Sequence, residues 1–123
     1  MKNILVIEDD KFVGDMYERL FTMHGYAVTR MENGQAALDY LSAAKDLPAI
    51  MILDVHMSEM DGREFLKKIK KDARIQSVPV IVLTNSFFEE DKQAFLDLGA
   101  AMFLIKIDTS NAEILENVKK LIK

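Results

Sequence analysis

Short apolar runs alternate along this chain with longer stretches whose apolar positions recur every three or four residues. The first run, residues 3–7, reads Asn-Ile-Leu-Val-Ile and predicts a strand. Behind it Phe12, Val13, Met16, Tyr17, Leu20 and Phe21 share one helical face. Gly25 is a natural stop, since glycine takes the left-handed conformation that follows many helices. Residues 26–31 make a less apolar strand, suited to a sheet edge. Asn33 can cap a second helix with Ala37, Leu38 and Leu41 facing inward. Residues 49–53 are apolar throughout and predict a strand buried on both faces.

After a loop-like stretch from Asp54 to Gly62, Phe65, Leu66 and Ile69 mark the inner face of a third helix. Pro79 opens a fourth strand, residues 80–83, at the position where a strand tolerates proline. Ser86 and Glu89 are spaced as a capping box for a helix carrying Ala94, Phe95 and Leu98, with Gly99 as its stop. Residues 102–105 are a fifth strand. Ser110 and Glu113 repeat the capping-box spacing before a last helix lined by Ile114, Leu115, Val118, Leu121 and Ile122. Strands begin about 23 to 30 residues apart, the span of a βα unit. The chain therefore reads as (βα)₅, with crossovers that force parallel pairing and a sheet covered on both faces.

Composition narrows the field. The chain has 123 residues, one compact domain's worth, half of them hydrophobic and 29% charged, a globular balance. No apolar run approaches a bilayer span, and Met1-Lys2-Asn3 leads into the first strand with no secretory leader, so no membrane partner is expected. The absence of cysteine excludes disulfides, thiol chemistry and cysteine metal sites, and suits a cytoplasmic protein. A net charge of −4 argues against direct binding of nucleic acid.

In an open parallel sheet, ligands gather beyond the carboxyl ends of the strands. Here those ends carry Glu8-Asp9-Asp10, Asp54, Thr84 and Lys106. Converging carboxylates repel one another unless a cation joins them, and all-oxygen ligation suits a hard ion such as Mg2+. Lys106 is placed to hold an anion, and Thr84 offers it a hydrogen-bond donor. Metal, carboxylate nucleophile, cation and hydroxyl together describe a phosphoryl-transfer centre, with aspartate able to carry the phosphoryl group.

The ordered set Ile-Leu-Val-Ile-Glu8-Asp9-Asp10, Ile52-Leu53-Asp54-Val55-His56-Met57 through Met60-Asp61-Gly62, Val82-Leu83-Thr84, Gly99-Ala100 and Lys106 resembles the receiver domain of two-component response regulators. The resemblance covers essentially the whole chain, residues 1–123, as one domain. It implies a doubly wound, flavodoxin-like or CheY-like fold with strand order 2-1-3-4-5. Asp54 would accept a phosphoryl group from a histidine kinase or histidine phosphotransfer protein. Asp9 and Asp54 would bind Mg2+ directly, Glu8 through a water, and the His56 backbone carbonyl would complete the set. Lys106 would pair with the phosphoryl oxygens, while Thr84 swings toward them and Phe103 turns inward. That movement would remodel the face of the fourth helix, fifth strand and fifth helix, which a downstream protein target or output domain reads. Such a domain is a switch that assists its own phosphorylation and dephosphorylation rather than an enzyme in the ordinary sense.

Simpler readings hold for other residues. Asp10 reads as a helix cap, His24 as a polar group at a helix end, and Lys67, Lys68, Lys70 and Lys71 as a solvated helix terminus. The chain also departs from the family pattern. Ile107 follows Lys106 where proline is usual, so a trans bond and a shifted loop are expected, a non-proline cis bond being worse by about 2.5–4 kcal/mol. Ser58 replaces another customary proline. Asn85 is bulkier than the usual residue there and would restrict access to the phosphoryl group. Gly99-Ala100-Ala101 lacks an acidic pair, which weakens the case for pairing through a charged fourth-helix face. Alternatives are a receiver-like interaction module that works without phosphorylation, an aspartate phosphatase, which would want an acid where His56 stands, and a flavin or dinucleotide carrier, for which no glycine-rich phosphate loop is present.

Overall fold

The computed structural model describes residues 1–55, 60–85 and 89–122. Its elements run β1 (Asn3–Ile7), α1 (Lys11–Thr22), β2 (Ala27–Met31), α2 (Gly34–Ala43), β3 (Ile50–Leu53), α3 (Gly62–Lys70), β4 (Val80–Thr84), α4 (Glu89–Asp97), β5 (Met102–Ile105), a single 3-10 turn (Lys106–Asp108) and α5 (Asn111–Leu121). All four strand pairings are parallel, in the order β2-β1-β3-β4-β5. This is the doubly wound order expected, with the half-buried β2 on an edge. The chain reverses its direction of sheet growth between β1 and β3. The chain leaving their carboxyl ends therefore parts to opposite faces of the sheet, α1 to one and α3 to the other, and Glu8 and Asp54 flank the crevice between.

Alternation along the strands sorts the core into two layers. Leu5, Ile7, Met51, Leu53, Val80 and Val82 pack with Phe65, Leu66 and Phe95 beneath α2, α3 and α4. Ile4, Val6, Ile50, Ile52, Ile81 and Leu83 pack with Tyr17, Phe21, Ile114 and Val118 beneath α1 and α5. Helix starts are fixed by side-chain caps. Asp10 Oδ1 accepts the amides of Phe12 and Val13, Asn33 accepts that of Ala36, and Ser110 and Glu113 form the reciprocal box. Gly25 and Gly99, the stops, both have positive φ, 89° and 105°. The His24 ring nitrogen meets the Leu20 carbonyl at 2.8 Å, at the carboxyl end of α1. No described helix is long and apolar enough to cross a membrane.

The inner face expected for α1 needs correction. Its buried stripe is centred on Gly14, Tyr17 and Phe21, whereas Phe12 is 84% and Met16 45% exposed. The apolar sector of the helix is wider than the strip the sheet can cover, and Phe12 and Met16 fall beyond its rim. No described peptide bond is cis, so Lys106–Ile107 is trans as expected. The Ser86–Glu89 capping box, His56, Ser58, Phe87 and Phe88 lie outside what the structure describes.

Candidate functional site

β1, β3, β4 and β5 each contribute to the crevice the residue just beyond, or at, the strand's last position. The β1–β2 ladder is extended by the Glu8 amide donating to the Met31 carbonyl at 3.0 Å. The β1–β3 ladder is likewise extended by the Asp54 amide donating to the Ile7 carbonyl at 3.1 Å. Backbone pairing thus fixes both carboxylates before any side-chain contact is made. Asp9 follows on the open side, Thr84 closes β4 with no exposed surface, and Lys106 follows β5. Glu8, Asp9, Asp54, Thr84, Asn85 and Lys106 line one cleft of about 260 Å³.

Within it, Glu8 is held at both oxygens. Oε2 accepts the Asp10 amide at 3.2 Å, and Oε1 accepts Lys106 Nζ at 2.7 Å. Lys106 Nζ is 4.0 Å from Asp54 Oδ1. The Glu8 and Lys106 side chains are only 4% and 13% exposed, so their ion pair is largely shielded from water. Burial pushes the Glu8 carboxyl above the ordinary carboxylate range; Lys106 pulls it back and the neighbouring Asp54 pushes it further up. Asp9 is also raised, by partial burial and then by the charge of Glu8. Tyr17, buried on the inner face of α1, is raised well above its usual value by burial, then by Glu8 and Asp54, and stays neutral.

Oxygens of Glu8, Asp9 and Asp54 all lie within 4.8 Å of one another. An all-carboxylate set open on the Asp9 side fits a small, hard, partly hydrated dication such as Mg2+. Phe103 is 8% exposed and packs against Phe95, ring centroids 5.7 Å apart. It already sits inside, so the inward turn that the resemblance implies is not needed from this arrangement.

Response regulator receiver domain is the family whose profile matches, over residues 4–119. The chain belongs to that family. Among curated relatives, the probable methanogenesis regulatory protein FilR2 of Methanothrix harundinacea is 32% identical over 109 residues, 84% of this chain and 70% of that one. Response regulator MprA of Mycolicibacterium vanbaalenii is 34% identical over 103 residues, 84% of this chain but only 43% of that protein. The receiver chain thus spans less than half of the second relative. In structure it superposes on the chemotaxis protein CheY4 of Vibrio cholerae with a TM-score of 0.89 and 25% identity, over 99% of both chains. These likenesses support a two-component phosphoacceptor role, and the chain carries an acidic cluster of Glu8, Asp9 and Asp54.

Sequence reasoning located Glu8, Asp9, Asp54, Thr84 and Lys106, and the fold brings all five together. It missed a second cleft of about 450 Å³ that shares Val13, Asn85 and Lys106 with the first and is walled by Met16, Tyr17 and Ile107. Phe12, 84% exposed on the same helix as Val13 and Met16, and Ile107, 85% exposed, are its signals. Both are large apolar residues beside a strand end, where a solvated loop would be polar.

Proposed function

We propose that Asp54 is the phosphoacceptor of a two-component relay, taking its phosphoryl group from a histidine kinase or histidine phosphotransfer protein. The observation that carries this reading is the meeting, in one cleft, of a nucleophile flanked by two further carboxylates, an ammonium and a buried hydroxyl. An Asp54 carboxylate oxygen would attack phosphorus in line with the departing histidine nitrogen. The phosphorus–nitrogen bond breaks as the acyl phosphate forms, and the histidine takes up a proton. Glu8, Asp9 and Asp54, with the His56 carbonyl, would hold Mg2+, which would neutralise charge on the transferring group. Lys106 would leave Glu8 and turn the short distance to the phosphoryl oxygens. Thr84 would donate its hydroxyl to them, and repacking around the already buried Phe103 would alter the α4–β5–α5 face for a downstream target. A ligand can shift this equilibrium only by its differential contacts in the two states, here those of Thr84 and Lys106.

The apolar cleft supports the partner assignment. It adjoins the acidic site through Val13, Asn85 and Lys106 and is lined by exposed Ile107 and half-exposed Met16, with exposed Phe12 on the same helix, a surface for a protein phosphodonor rather than for a nucleic acid. A cytoplasmic setting fits this relay.

Intact mass after incubation with Mg2+ and acetyl phosphate tests the reading, on wild type and Asp54→Ala. One phosphoryl adduct is expected, dependent on Mg2+ and absent from the variant. Folded wild-type protein that takes up neither phosphoryl group nor beryllofluoride would leave an interaction module that works without phosphorylation.

A further inference from the structure

The first turn of α3 forms a physical bridge between Asp54 and α4. Gly62 donates its amide to the Val55 carbonyl at 3.1 Å. A Cβ at Gly62 would lie 3.1 Å from the Asp54 carbonyl oxygen, 3.2 Å from Val55 Cα and 3.4 Å from Phe95 Cε1. The end of β3, the α3 backbone and the Phe95 ring are therefore close neighbours, with slightly less room between them than a methyl group needs. The Phe95 ring also meets Phe103 on β5, inclined at 36°.

Arg63 clamps this stack. Its guanidinium carbon lies 5.7 Å from the centre of the Phe95 ring, and its terminal nitrogen ion-pairs with Asp91, one helical turn before Phe95 on α4. Arg63 thus grips α4 by a carboxylate and by a ring face, two contacts that position the same side chain. Phe95 itself is fully buried.

We propose that Phe95, clamped by the Arg63–Asp91 pair, is the positioning residue that couples events at Asp54 to Phe103 and the α4–β5 surface. The inference rests on the phosphoacceptor reading above and adds to Thr84 and Lys106 a route through the back of the site. Close-packed interiors transmit displacement rather than absorb it. A group attached to Asp54 that shifts its carbonyl or Val55 presses on Gly62, whose neighbour on α4 is Phe95. The clamp also pre-organises α4, so that a ligand at Asp54 need not order the helix as it binds. A merely structural ion pair would add stability and nothing else.

The test measures binding of beryllofluoride with Mg2+ by calorimetry, and follows the Phe103 ring by NMR in protein carrying isotope-labelled phenylalanine. Arg63→Ala and Asp91→Asn are each expected to weaken beryllofluoride binding about three- to tenfold, the range open to a partly exposed ion pair with a cation–π contact. The double variant should be no weaker than the poorer single one. Both should displace the Phe103 ring signals, and Phe95→Leu should abolish the response of those signals to beryllofluoride. Unchanged or tighter binding in the clamp variants overturns the proposal, as does a Phe103 response that survives Phe95→Leu. Should Phe95→Leu not fold, the two surface variants decide. Should wild type not bind beryllofluoride, the phosphoacceptor role falls, and the coupling is judged in the unliganded protein. There Arg63→Ala must move both the Phe103 ring and the Gly62 amide signals, and if either stays in place the coupling falls too.

Discussion

Replacing Lys106 by methionine removes a charge from a side chain that is 13% exposed and leaves the shape nearly intact. Its partner Glu8, 4% exposed, then keeps the Asp10 amide as a donor and has carboxylates for neighbours. Breaking a buried ion pair from one side costs about 3–5 kcal/mol, because the orphaned charge stays desolvated. Lys106 keeps some contact with water, so a loss of about 3 kcal/mol is expected at pH 7 without metal. The pH dependence follows from the raised Glu8 carboxyl. A group whose native pKa lies above its unfolded value gives no penalty below the unfolded pKa, and its penalty grows as pH rises through the native one. The deficit of Lys106→Met should therefore shrink as pH falls from 7 toward the ordinary carboxylate range. Divalent metal should act in the same sense. At one hundred times its Kd a ligand adds about 2.7 kcal/mol, and removing the competing ammonium favours the dication. The assay is urea unfolding of both proteins in EDTA and in saturating Mg2+, with slopes checked for equality. A deficit below about 1 kcal/mol in EDTA, or one that Mg2+ leaves untouched, would refute the reasoning.

Further predictions concern the rims of the site. Phe12→Ser should leave labelling by acetyl phosphate unchanged but slow transfer from a phosphohistidine donor protein several-fold, since Phe12 is fully outside the acidic cleft; equal slowing with both donors would count against a docking role. Asn85→Ala should shorten the lifetime of the phosphoryl adduct, because Asn85 lines both clefts; identical decay would show that its bulk shields nothing. Gly62→Ala should destabilise by about 1–3 kcal/mol despite alanine's better helix propensity, since the new methyl meets backbone atoms of Asp54 and Val55 that cannot step aside. A thermal midpoint at or above wild type would mean that α3 can shift as a body.

What could be read in advance depended on the range of the interaction involved. β1 and β5 were legible to the residue, because each is an apolar run bounded by polar or glycine-rich sequence. The caps at Asp10, Asn33 and Ser110 were legible because a cap is settled within three residues. The catalytic edge followed from topology: once strands are parallel, their carboxyl ends must meet. Pairings between distant residues were not legible. Lys106 finds Glu8 across 98 positions, and Arg63 finds Asp91 across 28. Nothing local marks either pair. The α1 face was misjudged for a related reason, since periodicity gives the apolar sector of a helix but not which part of it the sheet will cover.

Formal charges in the cleft bear on why phosphorylation there would be reversible. Glu8, Asp9 and Asp54 carry three negative charges, and Lys106 offsets one of them. A dication would bring the cluster to neutrality. Phosphorylating Asp54 would replace one negative charge by about two, leaving an excess even with metal bound. That excess would be tolerable only if Lys106 leaves Glu8 for the phosphoryl oxygens, a move of small extent because Asp54 Oδ1 is already within 4.0 Å. Glu8 would then keep the Asp10 amide and need the metal as its cationic partner, so metal and phosphoryl group should each make the other's hold on the cleft stronger. The coupling is reciprocal by linkage. Saturating beryllofluoride should tighten Mg2+ binding by the same factor that Mg2+ tightens beryllofluoride, and Lys106→Met should reduce that factor, because the charge that moves between the two ligands is gone.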